Sequence, residues 1–221
     1  MKRGGTCLIA VGVFAGAMAY LEAAVVIYLR ALYGIKDLLR DIPLAPDRYT
    51  PVEIGREMAT LVMLALIGWI AGHRRQDRIG YALFAFGLWD IFYYGWLLIL
   101  TGWPETLLDW DLLFLVPLPW WGPVLSPLLI SLLLIVGGGL AVLRAGLGRP
   151  LRFTATEWGA AAGGMMLALY VFMNDALHAL PGGLEAVSVT RPTAFNWPLF
   201  SIALAGMAFP LLMAVRARFN P

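Results

Sequence analysis

The sequence predicts an all-α fold: a polytopic membrane bundle of six transmembrane helices, both termini cytoplasmic, with short interfacial helices in the outer loops. Three observations carry this. The first is composition. The 221 residues are 61% hydrophobic and 14% charged, with a mean hydropathy of +0.78. A soluble domain carries about 25% charge, so the polar surface here is too small to coat a water-soluble globule. The second is length. Apolar segments at 8–28, 52–72, 79–100, 124–143, 157–177 and 198–215 each approach the roughly 20 residues that span a bilayer. The third is charge placement. Lys2, Arg3, Arg74, Arg75, Arg78, Arg144, Arg149, Arg152, Arg216 and Arg218 fall in short tails and alternate connections. Arg30, Lys36, Arg40, Arg48, Arg56 and Arg191 fall on the other side. The positive-inside rule then puts both termini in the cytoplasm of a bacterial-type inner membrane, a parity that six spans satisfy. The whole chain, 1–221, reads as one integral-membrane domain.

The first span begins like a signal peptide. Lys2 and Arg3 precede an apolar stretch, and Ala17-Met18-Ala19 has the A-x-A form. The apolar run continues to Tyr28, however, which is spanning length, so it is read as an uncleaved helix. The second span opens at Thr50-Pro51-Val52-Glu53, a pattern of threonine cap, first-turn proline and third-position glutamate. Thr154-Ala155-Thr156-Glu157 repeats the capping pattern, and Asp77 can cap the third span. Pro123 and Pro198 suit helix starts. Pro210 lies inside the sixth span, where it predicts a kink. The run 159–164 (GAAAGG) and Gly137-Gly138-Gly139 predict close helix approaches.

The outer loops are rich in acids and tryptophans. Residues 101–122 hold Trp103, Trp110, Trp120 and Trp121 with Asp109 and Asp111 among them. They read as a short interfacial helix and a proline-stiffened re-entry, and as a surface for an extracytoplasmic or membrane partner. Residues 30–42 read as a second amphipathic interfacial piece. The tryptophans have a plainer role as an interfacial belt.

Charged groups inside the spans are the functional signal, because each costs roughly 2.5–3.5 kcal/mol at the bilayer centre on insertion scales. At 1.5 Å per residue, Glu22 and Glu57 lie about 9 Å below the outer ends of their spans. Asp90 lies about 15 Å deep, near the midplane. Asp175 and His178 lie at the outer end of the fifth span, with Asn174 at helical spacing from His178. These positions predict one outward-facing polar pocket among spans one, two, three and five. Carboxylates with one imidazole suit iron, manganese or zinc. Glu22, Glu57, Asp90 and His178 are therefore the expected metal ligands, with Asp175 as a fifth ligand or orienting group. Asp90, Tyr93 and Tyr94 are expected on the catalytic or proton path. Each has a plainer role: Glu53 as a cap, Glu57 paired with Arg56 or Arg30, and His178 as an interfacial residue.

Three function classes remain open on the sequence. The leading one is a metal-binding oxidoreductase or redox-associated protein. The others are a non-catalytic membrane subunit and a proton or cation pathway. Two histidines on opposite sides of the membrane disfavour bis-histidine haem, and three-histidine zinc sites are excluded by count. The lone Cys7 excludes multi-cysteine clusters. No GxGxxG, Walker loop, HExxH, GxSxG, CxxC or CxxCH occurs, so no nucleotide cofactor is expected, and the small net charge of +2 does not point to nucleic acid.

Overall fold

The computed structural model describes residues 2–41 and 47–216. It is helical throughout except for one hairpin. The elements run α1 (Lys2–Tyr33), α2 (Leu38–Asp41), α3 (Thr50–Ala71), α4 (Arg75–Thr101), β1 (Trp110–Phe114), β2 (Trp120–Pro123) and α5 (Leu125–Gly146). They continue through α6 (Ala155–Phe172), α7 (Asn174–Ala179), a 3-10 turn at Leu180–Gly182, α8 (Gly183–Val189) and α9 (Trp197–Arg216). Five helices are long and apolar enough to cross a membrane: α1 from Gly5, α3, α4, α5 and α9. The sixth candidate is α6 with its continuation Asn174–Val189, bent by 65° at Met173.

Glycine sets how closely the helices approach. A Cβ on Gly138 of α5 would collide with the Gly80 carbonyl of α4 and lie 2.8 Å from the Phe84 nitrogen. On Gly87 it would come within 2.5 Å of the Ser131 carbonyl, and on Gly68 of α3 within 2.5 Å of the Arg78 carbonyl. Gly164 of α6 meets the Ala203 carbonyl of α9 in the same way. Lipid tails give no hydrophobic drive for helix pairing, so small residues that admit close backbone contact do that work. Of the glycines expected to make close contacts at 137–139 and 159–164, Gly138 and Gly164 meet a neighbouring helix backbone, Gly137 meets the Leu211 side chain, and Gly159 and Gly163 meet nothing within 4 Å.

Packing divides into two clusters. Val11, Ala15, Met18, Leu64, Ala85 and Trp89 form the interior of α1, α3 and α4, with Val142 from α5. Ala168, Val171 and Phe172 of α6 pack on Phe200 and Ala203 of α9. Outward faces stay apolar: Ile9, Val13, Trp69, Ile70 and Ile99 are all more than 60% exposed. Helices with apolar residues on their outer faces suit a lipid surround.

Two of the three expected helix caps form. Thr154 and Glu157 form the reciprocal cap at α6, with Glu157 N–H donating to Thr154 Oγ1 at 3.3 Å and Thr154 N–H to Glu157 Oε2 at 2.6 Å. Asp77 accepts from the Arg74 N–H at 3.3 Å and caps α4. The expected cap at α3 is not formed. Thr50 is already helical, Tyr49 precedes it without a side-chain cap, and Thr50 Oγ1 bonds with Asp47 instead. Glu53 turns to Arg56. α9 is continuous through Pro210.

Two larger corrections concern the connections from α4 to α5 and from α1 to α3. Residues 101–122 form no helix. β1 and β2 pair antiparallel, Asp111 opposite Gly122 and Leu112 opposite Trp121, with an irregularity before Phe114. A hairpin satisfies backbone groups across the pair, which a segment containing Pro117, Pro119 and Pro123 could not do as a helix. The Val124 and Leu125 amides donate to the Asp109 and Leu107 carbonyls and tie the hairpin to the start of α5. In the other piece, 30–42, α1 continues to Tyr33 and only Leu38–Asp41 forms a further turn; Ile42 lies outside the described residues.

Candidate functional site

A cavity of about 570 Å³ lies between the two packing clusters, within the 300–1,000 Å³ typical of small-molecule sites. Its walls come from α1, α3, α4, α5 and α6, with one residue of α9, and β1 and β2 contribute at one end. Along α3 it extends from Thr50 to Ala65, about 22 Å at the helical rise. It is therefore long in the direction of the helices.

The two ends differ in chemistry. Leu61, Ala65, Leu83, Leu134, Met165 and Met207 line the end toward the α3–α4 connection. Glu22, Arg30, Glu53, Arg56, Glu57 and Asp111 line the end toward the hairpin. Asp90, Tyr93 and Trp89 of α4 stand on the wall between.

Arg56 organises the charged end. It sits against Glu22 of α1 in an ion pair, and its Nε donates to Glu53 Oε2 at 2.8 Å. Glu22 also accepts from Thr60 Oγ1 at 3.0 Å. Glu53 is thus a salt-bridge partner; Arg56 is in direct contact with Glu22 and Glu53, and its charge also reaches Glu57. Glu57 is buried, with only a long contact of 3.5 Å from the Leu115 N–H of the hairpin.

Asp111 of β1 is the residue that sequence reading passed over. It is 4% exposed, accepts from Tyr94 Oη at 3.0 Å, and lies 4.0 Å from Arg30 Nη2. Arg30 in turn stacks over the Trp103 ring at 4.2 Å. Burial pushes the Asp111 carboxyl up to about 6, with Arg30, Tyr94 and the Leu112 amide opposing it. Asp109, two residues earlier, is held below the ordinary value: burial raises it, but bonds from Thr106 and Glu105 outweigh that. The signal for Asp111 was present, since an acid flanked by tryptophan and leucine is an odd loop residue. Its placement needs the hairpin.

Of the expected ligands, Glu22, Glu57 and Asp90 line one cavity, and Tyr93 and Tyr94 line it with them. Asp90 accepts from Ser131 Oγ of α5 at 2.8 Å. Asp175 and His178 are not there. The chain bends at Met173, so both leave the line of α6 on α7. Asp175 takes the Thr193 hydroxyl at 3.1 Å and the Thr193 N–H at 3.3 Å. His178 is exposed, with Nδ1 2.7 Å from the Asn174 carbonyl. The i,i+4 spacing read as convergence on a pocket is used within one helical turn. Among the described residues no group of three or more His, Cys, Asp or Glu could hold a metal. The iron or manganese expectation therefore has no assembled ligand set.

Three donors that line the cavity lack acceptors among the described residues: Arg30 Nε, Trp89 Nε1 and Trp120 Nε1. Trp89 is 7% exposed. Sequence reading missed these, together with Thr60 and Ser131. Small polar residues inside apolar spans are the one signal that marks the latter two.

Comparison of the chain with protein-family models, with curated proteins and with solved structures finds no match.

Proposed function

We propose that this chain is a six-span inner-membrane protein that takes a tail-bearing amphipathic molecule into its internal cavity. The head rests at the charged end beneath the hairpin and the tail lies along the apolar end. The observation that carries this is the polarity gradient along one continuous cavity, from Arg56 and its glutamates to Leu134 and Met165. A bilayer lipid has that same gradient over a comparable length. A small hydrophilic substrate has no use for the apolar end, and a purely apolar one leaves the charged end unmatched.

The topology in this reading counts α6 with its bent continuation as the sixth span. Both termini then lie on the arginine-rich side, taken as cytoplasmic. The hairpin and the charged end face outward, so the bound molecule is oriented like a lipid of the outer leaflet. Glu22, Glu57, Asp90, Tyr93 and Tyr94 serve as head-group contacts or proton donors and acceptors, in place of the metal-ligand role expected from the sequence.

The test is extraction and mass analysis of amphipaths that stay with the purified protein. Wild type retains a stoichiometric tail-bearing molecule. Leu134→Trp, which fills the apolar end, loses it while the protein stays monodisperse. A folded wild type that retains none, or a Leu134→Trp variant that retains it fully, rejects the proposal.

A further inference from the structure

The charged end carries more information than its existence. Five carboxyl groups line the cavity, Glu22, Glu53, Glu57, Asp90 and Asp111, against two guanidinium groups, Arg30 and Arg56. Glu22 and Glu53 share Arg56, and Asp111 has Arg30 at the limit of an ion pair. Among the described residues neither Glu57 nor Asp90 has a basic side chain within 4 Å; Arg56 acts on Glu57 from farther off while it pairs with Glu22 and Glu53, which leaves Glu57 short of a full counter-charge and Asp90 without one. A buried carboxylate without a cation costs several kcal/mol, so these two positions call for a counter-charge or a proton. Aromatic rings line the same cavity as Asp90. Trp89 and Tyr93 stack with centroids 6.2 Å apart, and Tyr93 meets Tyr94 at 5.1 Å. Carboxylates with aromatic faces are the usual setting for an ammonium group.

The unpartnered donors point to a second feature of the same ligand. Among the described residues the buried Trp89 indole N–H has no acceptor, and neither has Arg30 Nε; both residues line the cavity. Leaving such a donor unmade costs about 1–3 kcal/mol. Acceptor oxygens on the ligand remove that cost. Phosphoryl and ester oxygens supply them, and an ammonium a few bonds away supplies the missing cation.

We infer that the bound molecule is an amine-bearing phospholipid. Its ammonium is held by Glu57 and Asp90, and its phosphoryl or ester oxygens accept from Arg30 and Trp89. This rests on the lipid-cavity reading above and goes beyond it by assigning the head group. A neutral head such as a quinone ring satisfies the donors but leaves the carboxylates without a cation. An anionic head adds charge of the sign already in excess.

The experiment uses the full chain in nanodiscs containing equimolar phosphatidylethanolamine, phosphatidylglycerol and ubiquinone, with bound species read by native mass spectrometry after release into detergent. The ethanolamine lipid is expected at about tenfold or greater occupancy over the glycerol lipid, equivalent to about 1.4 kcal/mol. Glu57→Gln with Asp90→Asn is expected to bring the ratio to about one while total lipid occupancy persists. If the pair does not fold, each single variant is read alone and is expected to cut the ratio by at least half. Trp89→Phe is expected to lower occupancy of both phospholipids.

Equal occupancy of the two phospholipids, preference for ubiquinone, or an ethanolamine preference that survives the carboxyl substitutions overturns the head-group assignment. Each leaves the lipid cavity standing. Absence of all three species from wild type rejects the cavity reading itself. Free ethanolamine, which has no tail, is offered to Leu134→Trp. Binding there at the affinity of the lipid keeps the amine chemistry and overturns the phospholipid.

Discussion

At the residue scale, Arg56 is the side chain on which the charged end depends. It neutralises Glu22 across the α1–α3 contact and Glu53 on its own helix, while its own side chain is 23% exposed. Removing one partner of a buried pair costs about 3–5 kcal/mol because the other charge is stranded. Arg56→Met is therefore expected to destabilise the protein by about 3 kcal/mol, at the lower end because of its residual exposure. Glu22→Gln added to it recovers most of the loss. Thermal unfolding in detergent reads both, and an unchanged midpoint in Arg56→Met removes the pair from the account. Asp111 makes a pH prediction. Its folded value is raised from 3.8 to about 6 by burial, against Arg30, Tyr94 and the Leu112 amide. The folded state thus holds the proton more tightly than the unfolded chain. Its stabilising contribution is complete below 3.8 and is lost as pH rises through about 6. At about 1.4 kcal/mol per pH unit this amounts to roughly 3 kcal/mol. Asp111→Asn keeps an acceptor for Tyr94 and removes the titration. The stability difference between variant and wild type is expected to move in the variant's favour over that window, and a pH-independent difference counts against it.

At the scale of elements, the two adjacent glycines of α6 give a clean contrast. A Cβ on Gly164 would lie 2.5 Å from the Ala203 carbonyl and 2.8 Å from the Met207 nitrogen, both backbone atoms of α9. One on Gly163 would meet nothing within 4 Å. Gly164→Ala is expected to push α6 from α9 at a cost of about 1–3 kcal/mol. Gly163→Ala is expected to be neutral or to gain up to about 1 kcal/mol from helix propensity. Equal effects would mean that α6 and α9 do not approach as described. The hairpin is the other decisive element. It brings Asp111 to Tyr94 and the Leu115 amide to Glu57, so it covers the charged end of the cavity as well as linking α4 to α5. Residues 101–122 read as a short interfacial helix and a proline-stiffened re-entry because leucine and tryptophan suit both helix and strand. Pairing of backbone groups under three prolines decided for strands.

For the whole molecule, the arginine asymmetry fixes a direction that labelling can check. Leu147 follows α5 on the arginine-rich side, and Leu184 lies in α8 on the other; both are exposed. In a Cys7→Ala background, an impermeant thiol reagent is expected to reach Leu184→Cys in intact cells and Leu147→Cys only after permeabilisation. The reverse pattern inverts the protein and turns the hairpin inward. In the proposed orientation the cavity's charged end stands at the outer level and its apolar end toward the bilayer middle.

What the sequence determined by itself was the environment and the inventory. Composition and run length call for several helices long and apolar enough to cross a membrane, and five to six such helices are present. The cost of buried charge singles out Glu22, Glu57 and Asp90, and the glycine runs at 137–139 and 159–164 contain the two positions, Gly138 and Gly164, where helix backbones meet. Only the tertiary structure decided which polar groups meet. The bend at Met173 takes Asp175 and His178 away from the other acids, and the hairpin puts Asp111 in their place. Helical spacing says which residues share a face over a few turns. It is silent on a break in the axis, and on a strand pair that brings a loop acid against a helix seventeen residues earlier. Those two events depend on packing between distant segments, and they separate Asp175 and His178 from the acids that line a cavity with one charged and one apolar end.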